Sequence, residues 1–166
     1  MFLGSFHPPN IQAAERIIEL ASESPDIIYL LAGGHSEPFI ERSRPQNVVA
    51  LGVVSEAAKN ALLGCASTGL NPMTTGGGSN VKVPEYFAAG LPVVSTAYGV
   101  RGFDAKAGVH LTLAPIDGFV SAIRSTVARE HGRDMTPAAR DLVEREYSWD
   151  ALGSKMLSRV TVALGM

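Results

Sequence analysis

"PPNIQAAERIIELASESPDIIYLLAGG", residues 8–34, changes its hydrophobic period part-way along, and that change decides the fold class. Ile11, Ala14, Ile17, Ile18 and Ala21 recur at helical spacing on one face, with Glu15, Arg16 and Glu19 elsewhere. Pro8 or Pro9 suits the first turn of that helix, where a missing N–H is no loss. From Asp26 the pattern becomes a continuous apolar run, "DIIYLLAGG" (26–34), closed by two glycines. A run of that length without alternation reads as a strand covered on both faces.

The same alternation of helix and strand continues outward in both directions. "MFLGS" (1–5) precedes the helix as a strand ending in a Gly-Ser turn. "NVVALGVVS" (47–55) is a third strand, and "SEAAKNALLGC" (55–65) a short helix with Ser55 as N-cap. "STGLNPM" (67–73) is a weaker strand interrupted by Gly69; "PVVST" (92–96) and "GVHLTLA" (108–114) follow as the fifth and sixth. Buried strands separated by helices predict a doubly wound, Rossmann-like α/β fold. The expected sheet is six-stranded and parallel, in the order 3-2-1-4-5-6, with helices on both faces. The tail is helical: "PIDGFVSAIRSTVARE" (115–130), "TPAARDLVEREY" (136–147) and "SWDALGSKMLSRVTVAL" (148–164). Ser148 is expected as an N-cap and Trp149 as an apolar anchor. No repeat or linker divides residues 1–166, which are read as a single domain.

Composition bounds the function. The chain has 166 residues, 46% hydrophobic and 18% charged, the balance of a folded protein with a sizeable core. A net charge of −2 gives no reason to propose nucleic acid or an acidic membrane surface as a partner. Cys65, the single cysteine, is expected as a small buried thiol, which suits a reducing, cytoplasmic setting. No stretch reads as a membrane span or a signal peptide. No clustered carboxylates suggest Mg²⁺, and His35, His110 and His131 lack partners at zinc-ligand spacing, so neither metal nor cofactor is expected.

In such a fold, ligands bind outside the carboxyl ends of the strands where strand order reverses, here between strands 1 and 4. The loops at that point are "GSFHPPN" (4–10) and "NPMTTGGGSN" (71–80). Pro84 belongs in a first helical turn, so the helix following the glycines is expected to begin near Asn80 or Val81. Its amides from about Gly78 to Val81 then form an anion site, and Gly76, Gly77 and Gly78 let a ligand approach the backbone. Lys82 is either a counter-charge for a phosphate or a solvated cation. Glu85, three residues on, either pairs with Lys82 or accepts hydrogen bonds from ligand hydroxyls. Spacing does not choose between these. Asn10 is expected as an N-cap or loop brace, His7 as a loop donor or an exposed histidine. Arg101 faces the ligand or pairs with Asp104.

"GGGSNVKVPEYFAAGLPVVST" (76–96) resembles the donor-binding segment of GT-B glycosyltransferases, in the large retaining group called family 4. "FLGSFHPPNIQAAERI", "PDIIYLLAGG", "PQNVVALGVVS" and "YSWDAL" match its other landmarks in order. The resemblance implies a two-domain enzyme whose C-terminal domain holds a nucleotide-diphosphate sugar. This chain matches that domain alone, and its abrupt start on a strand fits a piece of a longer protein, peripheral to a membrane or free of it. By the same resemblance Glu85 would bind the ribose hydroxyls, while Gly77, Gly78, Ser79 and Asn80 would face the diphosphate, with Gly4, Ser5, His7, Gly76 and Val81 beside them. Many members carry a glutamate eight residues before the second one; here that position is Gly77. Many also carry Arg and Lys after strand 1, where this chain has no cation before Arg16. Lys82 is therefore the candidate for stabilising charge on the leaving diphosphate. The competing expectation is a non-catalytic nucleotide- or phosphosugar-binding module, or more blandly an α/β domain with a loop for another anion.

Overall fold

The computed structural model describes residues 1–164 apart from Ser79 and Arg129, and of residues 130–133 the backbone alone. In chain order the elements are β1 (Phe2–Leu3), α1 (Pro8–Ser22), β2 (Tyr29–Ala32), β3 (Val48–Ala50), α2 (Glu56–Cys65), β4 (Gly69–Asn71) and α3 (Lys82–Ala88). There follow β5 (Val93–Ser95), β6 (Thr112–Leu113), α4 (Phe119–Ala128), α5 (Glu130–Glu146) and α6 (Trp149–Ala163). A 3-10 turn, Gly34–Phe39, follows β2. α1 opens on Pro8 and Pro9 as expected, and the Oγ atoms of Ser55 and Ser148 accept the amides of Ala58 and Ala151 as N-caps.

The strands are parallel, but they form two three-stranded sheets, β1-β2-β3 and β4-β5-β6, rather than one of six. The sheets meet along β1 and β4, where the six-stranded order was expected to reverse. There the Leu70 N–H donates to the Met1 carbonyl at 2.8 Å. A parallel ladder would continue with Leu3 N–H donating to the Leu70 carbonyl. Instead Leu3 N–H donates to the Tyr86 hydroxyl at 2.8 Å, and that hydroxyl donates to the Leu70 carbonyl at 3.4 Å. The phenol of α3 thus relays the bond that would have joined the sheets. Gly69 makes this possible: a Cβ there would lie 2.6 Å from the Tyr86 ring. What reads in the sequence as an interruption of the strand is space for an aromatic side chain.

Two cores cover the faces, and each draws on both sheets. One joins Phe2, Leu31, Leu70 and Val94 to Ile17 of α1 and Phe119 and Ile123 of α4. The other joins Leu3, Ala32 and Val93 to Leu63 of α2, Phe87 of α3 and Leu142 of α5. Successive strand residues point to opposite faces, so adjacent residues such as Phe2 and Leu3 enter different cores.

Three expectations for the helices are corrected. Cys65 is exposed, because it ends α2, a helix that buries Leu63 alone. Trp149 is 90% exposed: α6 packs beside α5 and buries none of its described residues, so its apolar stripe has no facing element. α5 begins at Glu130 and carries Pro137 inside it, its hold on the core coming from Ala139, Leu142 and Val143.

Candidate functional site

A cleft of about 690 Å³ opens over the junction of the two sheets, at the carboxyl ends of β1 and β4. Its walls come from both halves of the chain. The first sheet contributes Gly4, Ser5 and His7 after β1, Gly33 and Gly34 after β2, and Lys59 of α2. The second contributes Gly76, Gly77, Asn80, Val81, Lys82, Glu85 and Arg101. Both loops that stood out in the sequence are therefore on one site.

The Gly-rich loop is held by its neighbours around the cleft. Gly76 and Gly78 have φ of 106° and 79°, a region that favours glycine, and a Cβ on Gly76 would lie 2.9 Å from Pro9. Gly77 has neither constraint: nothing lies within 4 Å of its Cβ position. Arg101 Nη2 donates to the carbonyls of Gly76 and Gly78, and the Tyr98 hydroxyl also donates to Gly76. The guanidinium lies 3.9 Å above the Tyr98 ring. A trans peptide directs its N–H opposite to its carbonyl, so anchoring the Gly76 carbonyl turns the Gly77 N–H away from Arg101. Of the two readings of Arg101, the ion pair with Asp104 is not formed; its donors go to loop carbonyls. Thr75 Oγ1 donates to Gln12 on α1, tying the loop's other end.

α3 begins at Lys82, just after the loop, with its N-terminal end on the cleft. Lys82 is 6% exposed, which overturns the solvated reading. Its Nζ donates to Asn10 Oδ1 at 3.0 Å and lies 4.9 Å over the Phe2 ring. Burial lowers its pKa to about 8, against the opposing pull of Glu85. Asn10 also donates from Nδ2 to the Ser5 carbonyl, so it braces the loop. The helix cap falls to His7, whose side chain makes no capping bond.

Glu85 pairs with Lys59 rather than Lys82: Lys59 Nζ lies 3.1 Å from Glu85 Oε1 and 3.0 Å from Glu56 Oε2. The Asn80 side-chain amide donates from Nδ2 to the Gly99 carbonyl, and the residue lines the cleft. Val81 is exposed on the rim, and Ser79 lies outside the described residues, as does the side chain of His131.

Beneath the floor, His35 Nδ1–H donates to the Gly4 carbonyl at 2.8 Å, and its buried Nε2 has no hydrogen-bond partner among the described residues. Burial depresses its pKa to about 4, partly offset by that hydrogen bond. A Cβ on Gly4 would lie 3.0 Å from both His35 and Asn10, so a larger residue there would press on both side chains.

Sequence reasoning missed Lys59, Glu56 and the Gly33–Gly34 wall. The rule that ligands gather at strand carboxyl ends would have flagged the glycines closing "LLAGG". For Lys59 the single cue was its position three residues after Glu56 on a short helix. Among the described residues no group of three or more His, Cys, Asp or Glu side chains is placed to hold a metal ion, and no helix is long and apolar enough to cross a membrane.

Residues 1–129 match the family model described as glycosyl transferases group 1. No curated protein matches the chain by sequence. Among solved structures, HepE of Anabaena, in complex with UDP and glucose, is 15% identical with a TM-score of 0.76 over 97% of this chain and 48% of its own. A glycosyltransferase from Rickettsia africae is 14% identical, with a TM-score of 0.74 over 98% of this chain and 47% of its own. The C-terminal domain of LpcC, a group 1 protein from Francisella tularensis, is 10% identical, with a TM-score of 0.63 over 89% and 85%. The chain thus has the fold of the C-terminal half of GT-B enzymes, and it spans about half the length of the first two structures.

Proposed function

The chain belongs to the group 1 glycosyl transferases, and on that premise we propose that it is the donor-binding domain of a two-domain retaining glycosyltransferase. The observation that carries this reading is the meeting of Lys82, Glu85 and the Gly76–Gly78 loop on one cleft over the sheet junction. The volume suits a nucleotide-sized ligand. The diphosphate lies against the loop and the start of α3, with Lys82 beneath it, and the ribose hydroxyls meet Glu85. In transfer, charge grows on the leaving diphosphate, and Lys82 with the loop amides stabilises it without having to reorganise. HepE and the pneumococcal transferase GtfA were crystallised with UDP, which makes a uridine nucleotide the first candidate donor. The acceptor is bound by a second domain, so this chain alone transfers little or no sugar.

A second reading, a binding module without catalysis, draws on Gly77. The fold does not demand a glycine there, so the missing carboxylate reflects chemistry rather than space.

Titration of the chain with UDP, GDP, ADP and their sugars, beside Lys82→Ala and Glu85→Ala, tests the binding site. At least one nucleotide should bind below millimolar concentration and both variants should weaken it. Absence of binding by all three would sink the reading. Transfer by the full-length protein, lost in Lys82→Ala, separates enzyme from module.

A further inference from the structure

Lys59 was not singled out by any motif, yet it occupies the point where the two halves of the cleft touch. It stands on α2 and reaches Glu85 on α3, 26 residues away, and both helices bury side chains in the same core. Its side chain is 22% exposed, far less than the 83% of its other partner, Glu56. Glu85 Oε1 is taken by this ammonium, and no protein hydrogen bond falls on Oε2 among the described residues.

We propose that Lys59 is a positioning residue that fixes the Glu85 carboxylate for a ribose cis-diol and so makes the cleft select ribonucleotides over deoxyribonucleotides. This rests on the nucleotide-binding reading above. A glutamate has three side-chain torsions, and a free carboxylate beside a diphosphate is pushed away from it by like charge. An ammonium on one oxygen removes both problems. It limits the rotamers, and it neutralises the carboxylate's repulsion of the phosphates. The second oxygen remains to accept from the hydroxyls, a charge-assisted arrangement stronger than a neutral hydrogen bond. Glu56, mostly in solvent, is the ammonium's second carboxylate partner at 3.0 Å.

The test compares the affinity of the chain for whichever of UDP, GDP and ADP binds best with that for its 2′-deoxy counterpart, by calorimetry. Wild type should favour the ribonucleotide by roughly ten- to a hundredfold. Lys59→Met should reduce that preference to about threefold or less, largely by weakening the ribonucleotide, and Lys59→Arg should keep most of it. In a Glu85→Gln background, Lys59→Met should change neither affinity, because there is no carboxylate left to position. If Lys59→Met weakens both nucleotides equally, or neither, or if wild type shows no preference, the inference falls while nucleotide binding stands. If none of the three ribonucleotides binds wild type, it is the proposed function that has failed. A thermal melt of each variant guards against unfolding, since a merely structural bridge would lower the melting temperature without touching the ratio of affinities.

Discussion

Lys82 Nζ lies 3.0 Å from Asn10 Oδ1, a contact that joins α1 to α3 across 72 residues of sequence under the floor of the cleft. The amide oxygen solvates the ammonium incompletely, which is why burial holds the pKa near 8. Lysine's pKa is lowered on folding, so between about 8 and 10.5 the unfolded chain binds more protons. Stability should therefore rise with pH across that window, on the order of 3 kcal/mol from this group. Urea unfolding at a series of pH values checks it; Lys82→Met should flatten this part of the profile.

Nucleotide binding should run the other way. A diphosphate favours the charged lysine, so affinity should fall as pH rises from about 7.5 to about 9.5, with proton uptake on binding. Calorimetry in two buffers of different ionisation enthalpy measures the uptake. A wild-type affinity flat over that range would show that Lys82 does not face the anion.

The Tyr86 relay makes a claim about the sheets. Tyr86→Phe leaves Leu3 N–H buried without its acceptor and should cost about 1–3 kcal/mol in chemical denaturation. Gly69→Ala should cost a similar amount through overlap with the ring, and much less in a Tyr86→Leu background. Additive costs in the double variant would show that the two positions are not in contact.

Arg101 should act through the loop. Arg101→Lys keeps the charge but loses the fork that holds two carbonyls, so UDP affinity should fall about tenfold or more while uridine affinity barely changes. Equal losses for both ligands would place Arg101's effect elsewhere in the cleft.

His35 gives an acid-side signature. Its pKa is lowered from 6.5 to about 4, so below 6.5 the unfolded chain takes up a proton that the folded chain refuses. Stability should decline between those values, again on the order of 3 kcal/mol. The imidazole resonance should stay neutral until the pH nears 4. A titration near 6 in the folded protein would contradict the buried placement.

The layers of this fold were legible because its strands are short and doubly covered. Apolar runs such as "IIYLLA" have no polar face to mislead, and the caps at Ser55 and Ser148 follow from side-chain chemistry local to each helix start. The split of the sheet was not legible, because it depends on Tyr86 meeting Gly69, a contact between elements 17 positions apart that no periodicity encodes. The cleft's loops were legible through topology, whereas the partners of its charges were not. Lys82 and Glu85 share a helix face, yet burial sends one to Asn10 and the exposed rim gives the other to Lys59. Trp149 shows the opposite limit: helical spacing of apolar residues predicts a face, and says nothing of whether anything covers it.

The junction of β1 and β4 has a mechanical consequence for ligand binding. One direct backbone bond, the Tyr86 relay and the Met1 amino group's bond to the Thr68 carbonyl join the strands there, and the cleft lies above that line. A nucleotide reaching from the Gly33–Gly34 wall to the Gly-rich loop would act as a strap over the seam, resisting shear between the half-sheets. Occupancy would then be felt far from the cleft, as slower hydrogen exchange at the Leu3 and Leu70 amides on which the two halves meet.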